Sequence, residues 1–212
     1  MSPECCQCLV GIIGTVINLI MLFLAIFQPR IKKYMQRPKL KLTFEERMPD
    51  LNKTIMIGNK DALSCKVLIE NKGKSAAKDV QVYLNDIVLI DKNGKESQCT
   101  HILPMNLTWS FQGGNKTSVI HRFAPDMKKY CDFIFAYADS HCHLSTEDKF
   151  PVDDKQNDQI EEGEYLCHLI VLGSNCESKK YEIRFEYTGK WDEKAKDVIQ
   201  IKDCHEVNEK IS

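Results

Sequence analysis

The hydrophobic and polar positions divide the chain into two unequal parts. Residues 8–27 form one run, CLVGIIGTVINLIMLFLAIF, that contains no charged residue. A helix of this length measures about 30 Å, which matches the hydrocarbon thickness of a bilayer. After residue 38 the pattern changes to short apolar segments separated by turn residues. We therefore predict a short tail at residues 1–7, a transmembrane helix at residues 8–28 and a strand-rich domain further on.

The charges on either side of the apolar run predict its orientation. Residues 1–7 contain one Glu and no Lys or Arg, whereas Arg30, Lys32, Lys33, Arg37, Lys39 and Lys41 follow the run closely. Basic residues next to a span stay on the cytoplasmic side and attract anionic lipid. We expect residues 29–38 to be a basic linker in a single-pass protein of the cell (inner) membrane, with the C-terminal domain in the cytoplasm. The lipid contacts are expected from Arg30, Lys32, Lys33 and Arg37.

One stripe of the predicted helix carries small and polar side chains. Its members recur at spacings of three and four and therefore share a face: Gly11, Gly14, Thr15 and Asn18. Small residues let helices approach closely, and an amide in lipid needs a hydrogen-bond partner. The stripe predicts a homo-oligomer that assembles through the helix. The alternative is a single span that tolerates two glycines and one Asn.

The first strand is predicted directly after the linker. Leu40, Leu42 and Phe44 alternate with polar residues, and a period of two is the signature of a strand with one buried face. We predict this strand at residues 39–44.

A hairpin is predicted next. Residues 64–70 and 79–84 are rich in apolar and β-branched side chains, which favour strands. Between them lie Asn71 and Gly73, two residue types that adopt the positive φ of tight turns. We expect the two segments to pair through this turn, and the second segment to continue to Ile90.

The rest of the domain repeats this alternation of strands and turns. Asn93 and Gly94 form the strongest turn dipeptide, and further strands are predicted at residues 107–111, 118–123, 131–137, 164–172, 180–187 and 198–202. Together with the lack of a ten-residue amphipathic helix, these predict an all-β domain, an antiparallel immunoglobulin-like β-sandwich at residues 39–205 with a tail at 206–212.

Two finer expectations concern the interior of this domain. Phe133, Phe135 and Tyr137 alternate along one predicted strand and should point together into the core. Residues 145–162 are acidic and hold few apolar side chains, so we expect a mobile loop there.

A family resemblance rests on the predicted hairpin. The segment VLIENKGKSAAKDVQVYL resembles the N-x-G-x-x-x-A-x-x-V pattern of prokaryotic immunoglobulin-like (CARDB-like) domains, with Asn71 and Gly73 at the turn positions and Ala77 and Val80 at core positions. With its apolar N-terminal run, the chain is similar to small membrane-anchored prokaryotic proteins that carry such a domain. The resemblance implies a fold and no reaction.

Charge and cysteine content narrow the possible partners. From Leu42 onward the chain has 23 Lys and Arg against 29 Asp and Glu, a balance that argues against a nucleic-acid surface. Seven cysteines lie in the domain without a CxxC pair, which favours reduced thiols in a cytosol over a disulfide framework. Three N-x-Thr sequences, at Asn52, Asn106 and Asn115, leave the lumenal alternative open.

The candidate chemistry of the sequence is sparse. His141, Cys142 and His143 are weak candidates for a metal site, with Cys131, Cys167 and His168 on neighbouring predicted strands. The sequence has no nucleophile elbow, Walker motif or dinucleotide fingerprint. We therefore expect no cofactor and no enzymatic activity.

Two functions fit these features. The first is a non-enzymatic binding or scaffold module, held at the cytoplasmic face of the membrane, that binds a protein partner. The alternative is an oligomeric membrane effector of the prokaryotic immune type, in which the domain senses a ligand or partner and the assembled helices perturb the bilayer. The small and polar stripe favours the second, whereas the lack of a recognisable ligand motif favours the first.

Overall fold

The computed structural model describes residues 16–28, 30, 32, 35–45, 47, 49–55, 61–110, 117–138, 142–147, 149–152, 155–191 and 195–207. The chain divides into two compact units, Met1–Arg37 and Pro38–Ser212. In the first unit, residues 16–28 are helical. Within the described part of the chain, no helix combines the length and the apolar character needed to cross a bilayer. Residues 8–15 of the predicted span, which include Gly11, Gly14 and Thr15, lie outside the described residues, as does Lys33.

The second unit is built from antiparallel sheets, with strands numbered in chain order. Among the described residues, the first sheet contains six strands: β1 (Leu40–Thr43), β2 (Leu51–Ile55), β3 (Asp61–Asn71), β8 (Lys128–Tyr137), β9 (Cys142–Leu144) and β12 (Gln159–Ile160). Their order is β1-β3-β8-β9-β12, and β2 also pairs with β3.

The second sheet contains seven strands within the described ranges: β4 (Ala77–Ile90), β5 (Glu96–Gln98), β6 (Met105–Asn106), β7 (Ile120–Phe123), β13 (Gly163–Leu172), β14 (Lys179–Tyr187) and β15 (Ile199–Val207). Their order is β15-β14-β13-β4-β5, and β6 and β7 also pair with β4. The strands β10 (Pro151–Val152) and β11 (Lys155–Gln156) form a small separate hairpin, and a short helix covers Ala195–Val198.

Aromatic side chains join the two sheets into one core. Phe133 from the first sheet meets Phe185 from the second edge to face, with ring centroids 5.7 Å apart. Tyr165 stacks on the same Phe185 ring at 5.3 Å. The hydroxyl of buried Tyr181 accepts a hydrogen bond of 3.1 Å from the backbone N–H of Leu42. Interdigitated aromatic rings and a bonded hydroxyl are typical of the interior of a β-sandwich.

Most of the predicted strands are confirmed. Strands β1, β4, β7, β8, β13, β14 and β15 overlap the predicted segments, and β4 continues to Ile90. The Asn93-Gly94 turn is present, with Gly94 at a φ of 77° and the Asp91 carboxylate accepting from the backbone N–H groups of Asn93 and Lys95. In the 107–111 segment, Leu107 and Trp109 make only isolated bridges, to Thr146 and Cys131.

The predicted hairpin between the second and third segments is wrong. Strands β3 and β4 lie in different sheets, so residues 72–76 cross from one sheet to the other. Asn71 and Gly73 do not have positive φ. The local turn residues were compatible with a hairpin, but both strands have a face to bury, and the crossover lets each pack that face against the other sheet.

The Asn71 side chain has a different role, as a buried connector. Its Oδ1 accepts from the backbone N–H groups of Lys39 and Gly73, at 3.2 and 3.0 Å. Its Nδ2 faces three backbone carbonyls at 2.9 to 3.2 Å, those of Ser75, Phe123 and Ala124. One amide therefore holds the start of β1, the crossover and the turn before β8.

A β-bulge changes the predicted core face of β8. Pairing with β3 shifts register between Cys65 and Lys66, where the partners are Ile134 and Asp132, so Phe133 is the extra residue. Phe133 is buried, but Phe135 and Tyr137 are only partly buried. The prediction that the three aromatics share one core face is therefore wrong, because one inserted residue reverses the alternation beyond it.

The described residues of the acidic segment 145–162 include strands where the sequence predicted a loop. They form the paired strands β10 and β11 and the edge strand β12, whose Ile160 is buried. The backbone N–H of Leu144 donates to the carbonyl of Asp158 at 2.7 Å. Each of these strands is two residues long, so none leaves a periodic pattern in the sequence.

Candidate functional site

The residues proposed as weak metal ligands do not form a cluster in the described structure. Cys142 is buried in the core, whereas the next residue, His143, lies on the other face of β9 beside Asp158, with Nδ1 3.3 Å from Oδ2. His141 lies outside the described residues. Cys131 bonds its thiol to the carbonyl of Thr108, and His168 points away from the core that holds Cys167. No group of three His, Cys, Asp or Glu side chains suited to a metal ion occurs among the described residues.

The thiols of the domain are placed as packing groups. All seven are free, and Cys65, Cys131, Cys142 and Cys167 are buried. Burial raises the pKa of Cys131, Cys142 and Cys167 well above the ordinary value. Since the thiolate is the reactive form, these side chains are poor nucleophiles.

A serine, an aspartate and a histidine meet on the surface, but in the wrong order for nucleophilic catalysis. Asp79 accepts from the Ser174 hydroxyl at 3.0 Å through Oδ2 and lies 2.9 Å from His121 Nδ1 through Oδ1. In a catalytic triad the imidazole lies between the hydroxyl and the carboxylate, where it takes the hydroxyl proton. Here the carboxylate lies in the middle, so the trio connects β4, β7 and the loop after β13.

A row of charged side chains crosses the outer face of the second sheet. His168 lies between two carboxylates, with Nδ1 2.5 Å from Asp86 and Nε2 3.2 Å from Glu182. His205 continues the row on β15, with Nε2 3.5 Å from Glu182. The ring nitrogens face acceptors on neighbouring strands, so the row ties four strands together laterally.

A groove beside the acidic segment is the candidate binding site. Its volume is about 340 Å³, and it is lined by Leu103, Pro104, Met105, Glu147, Lys149, Phe150 and Asn157. Leu103 is 39% exposed and Phe150 is 42% exposed. Among the described residues of the second unit, no other large apolar side chain is exposed, so both exposed examples meet in one groove.

The backbone that presents Phe150 is fixed from both sides. Its N–H donates to the Asn157 side-chain oxygen at 3.0 Å, and its carbonyl accepts from the Asn157 N–H at 3.0 Å. Asn157 is itself buried. The exposed ring is therefore carried by a pre-organised loop, which lowers the entropic cost of using it in a contact.

Below the groove lies Asp158, which is 1% exposed. Its Oδ2 pairs with the Lys149 ammonium and with His143, while Oδ1 has no hydrogen-bond partner in the described structure. Burial raises the pKa of this carboxyl, but His143 and Lys149 together have the larger effect and hold it below its usual value. The pair neutralises the Lys149 charge at the groove.

The sequence did not point to this site. Leu103 and Phe150 are 47 positions apart, and neither belongs to a recognised motif; the only local signal was one aromatic residue inside an acidic segment.

No protein-family model and no curated protein matches the chain. A groove of this size, with two exposed apolar side chains, can accept an apolar side chain of another molecule.

Proposed function

We propose that this protein is a membrane-anchored, non-enzymatic binding or scaffold module whose domain lies at the cytoplasmic face of the membrane. The observation that carries the proposal is the helical stretch at residues 16–28. Its large apolar side chains are 49 to 63% exposed: Val16, Ile17, Leu19, Ile20, Met21, Leu22, Phe23, Leu24 and Ile26. A contiguous apolar surface of this extent is unfavourable in water and favourable in lipid. The same run continues N-terminally to Cys8 in the sequence, long enough to span a bilayer.

Basic residues support the orientation. Arg30, Lys32 and Arg37 are exposed after the apolar stretch, where they would meet anionic headgroups on the cytoplasmic side.

Strand order supports the immunoglobulin-type sandwich as the binding scaffold. In that fold the second and fifth strands are neighbours in one sheet and the third, sixth and seventh are neighbours in the other. Here β3 and β8 take the places of the second and fifth strands and are neighbours in the first sheet. In the second sheet β4, β13 and β14 take the places of the third, sixth and seventh strands and follow one another in that order. Such sandwiches hold binding residues on loops at the ends of rigid sheets, and the groove at Leu103 and Phe150 has this setting.

The experiment that tests the proposal combines fractionation with topology. Full-length protein should stay in the membrane pellet after a carbonate wash, and protease added outside intact cells should leave residues 42–212 uncut. Replacing Leu19 and Phe23 together by Arg should release the protein, since each charge at mid-membrane costs about 2.5–3.5 kcal/mol. The matched control, Ser97→Arg with Gln98→Arg on the exposed strand β5, should stay in the pellet. Wild-type protein in the wash supernatant contradicts the anchor, and external cleavage contradicts the orientation.

The effector alternative is favoured by one residue. Asn18 is exposed on the helical stretch between apolar neighbours, and an amide in lipid gains from pairing with its copy. If the helices assemble in this way, Asn18→Leu should reduce crosslinked oligomers in membranes while Leu19→Ile does not. Equal crosslinking of both variants and wild type removes this support.

A further inference from the structure

We propose that the groove between Leu103 and Phe150 binds a cationic peptide segment of a partner protein, one that carries an apolar side chain flanked by Lys or Arg. This inference rests on the proposed binding function and specifies the chemistry of the partner. Three features of the groove carry it: its apolar anchors, its rigidity and the charge around it.

The apolar anchors define what enters the groove. Leu103 and Phe150 face solvent on either side, while Met105 is 4% exposed. A volume of about 340 Å³ lies at the lower end of the range of ligand pockets, and a site of that size accepts one or two side chains rather than a domain surface. Aromatic and aliphatic anchors of this kind usually dominate the energy of a small interface.

Leu103 and Phe150 are held on rigid backbone, unlike apolar residues that are exposed on flexible loops. The paired hydrogen bonds between Phe150 and buried Asn157 fix the backbone that presents the ring. Leu103 is followed by Pro104 and then by Met105 on β6, which pairs with β4. Both anchors therefore lie next to elements of the sheet framework, and neither has to be ordered on binding.

The surrounding charge selects a cationic occupant. Among the described residues of the acidic segment, Asp158 is paired with Lys149, the cation that lines the groove, and Glu161 is paired with Lys155. Glu147 lines the groove as an exposed carboxylate. Its negative charge attracts Lys and Arg and repels acidic peptides, nucleic acid and anionic lipid headgroups. The last point argues against Phe150 as a membrane-inserting residue.

The test measures binding of labelled peptides to the full-length protein in nanodiscs of neutral phosphatidylcholine, with empty nanodiscs as the blank. The probes are KKWLKK, its acidic counterpart EEWLEE, and KKSGKK, which lacks the apolar residues. Binding of each probe is followed by fluorescence anisotropy. We expect saturable binding of KKWLKK and at least tenfold weaker binding of the other two. Raising salt from 50 to 300 mM should weaken KKWLKK binding, because the Glu147 carboxylate is exposed to solvent and salt screens its charge.

Variants locate the binding. Phe150→Ser and Leu103→Ser should each weaken KKWLKK binding at least tenfold, and Glu147→Lys should weaken it and reduce its salt dependence. The control Val119→Ser, a partly exposed apolar residue before β7, should bind like wild type. Circular dichroism of each variant checks that the domain is folded; two independent groove variants keep the test decisive if one of them unfolds.

Each remaining outcome has a defined meaning. Unchanged binding in both Ser variants, or equal binding of EEWLEE, overturns the proposal. Binding of anionic vesicles that depends on Phe150, without peptide binding, also overturns it and assigns the groove to a membrane surface. Carbonate fractionation of wild type distinguishes failure of the membrane anchor from failure of the peptide groove. Peptide binding by a protein that is not membrane-bound refutes only the anchor, whereas a membrane-bound protein that binds no probe refutes only this inference.

Discussion

Two buried polar side chains of the domain, Asn71 and Asp158, differ in how completely their polar atoms are paired. Asn71 is completely buried, and its amide makes hydrogen bonds on both the oxygen and the nitrogen. Asp158 is almost as buried, but it is charged, one of its oxygens has no partner in the described structure, and the other is shared between Lys149 and His143. The first residue joins three backbone segments, whereas the second lies below an open groove.

The difference separates a residue of the sheet framework from a residue beside the groove that we propose as a binding site. A fully satisfied buried amide gives conformational specificity to the framework, because any alternative packing leaves several backbone groups unpaired. The Asp158 carboxylate is stabilised by Lys149 and His143, but its buried oxygen without a partner offsets part of that gain. Its partner Lys149 lines the same groove as the exposed residues Leu103 and Phe150.

The largest expected effect comes from breaking the satisfied site. Asn71→Leu removes the acceptor of two backbone N–H groups and the donor to three carbonyls, each buried group costing about 1–3 kcal/mol when left unpaired. Rearrangement around the new side chain pairs some of these groups again and reduces the total cost. We therefore expect a loss of at least about 3 kcal/mol in the free energy of unfolding. Urea unfolding of the full-length protein in mild detergent measures it, followed by the fluorescence of buried Trp109 and partly buried Trp191.

The control for that substitution is the exposed amide Gln98. Gln98→Leu should change the free energy of unfolding by less than about 0.5 kcal/mol. A similar loss in both variants would show that Asn71 is not a special connector.

A smaller effect is expected at the incompletely paired site. Asp158→Asn keeps the size of the side chain but removes the charge that pairs with Lys149, which can turn to solvent because its side chain is 47% exposed. We expect a loss of about 1–2 kcal/mol in unfolding free energy, below that of Asn71→Leu. If Asp158→Asn costs more than Asn71→Leu, the comparison between the two sites is reversed.

The two sites should also differ in their response to acid. The pKa of Asp158 is held below its usual value of 3.8, so its ionised form is favoured in the folded state. This contribution is fully present above pH 3.8 and is lost as the pH falls through the lower, folded-state value. The stability gap between wild type and Asp158→Asn should therefore narrow as the pH falls below 4 in urea titrations. The gap between wild type and Asn71→Leu should not follow that profile.

The smallest stability effect is expected in the groove itself. Phe150→Ser removes a side chain that is already 42% exposed, so the midpoint of thermal unfolding should move by only about 1–3 °C. The same change should abolish most peptide binding. A large loss of stability would instead identify Phe150 as a packing residue.

Local pattern was sufficient to locate most of the strands. The alternation of Leu40 with Leu42, or of the apolar residues along β13, reports one buried face, and any sheet that buries that face satisfies it. The turn at Asn93 and Gly94 was equally local, since it depends on the φ preference of two residues. For the same reason the apolar run at residues 8–28 predicts a membrane helix without reference to the rest of the chain.

The sequence by itself determined the β class of the domain, the position of most strands and the acidic character of one segment. Only the tertiary structure decided that β3 and β4 separate into two sheets, that a bulge at Phe133 reverses the faces of β8, and that Leu103 and Phe150 line one groove. The physical reason is that side-chain periodicity records whether a residue is buried, but not which distant strand buries it. Pairing, register and grooves depend on contacts between segments far apart in the chain, where many arrangements satisfy the same local pattern and packing selects one.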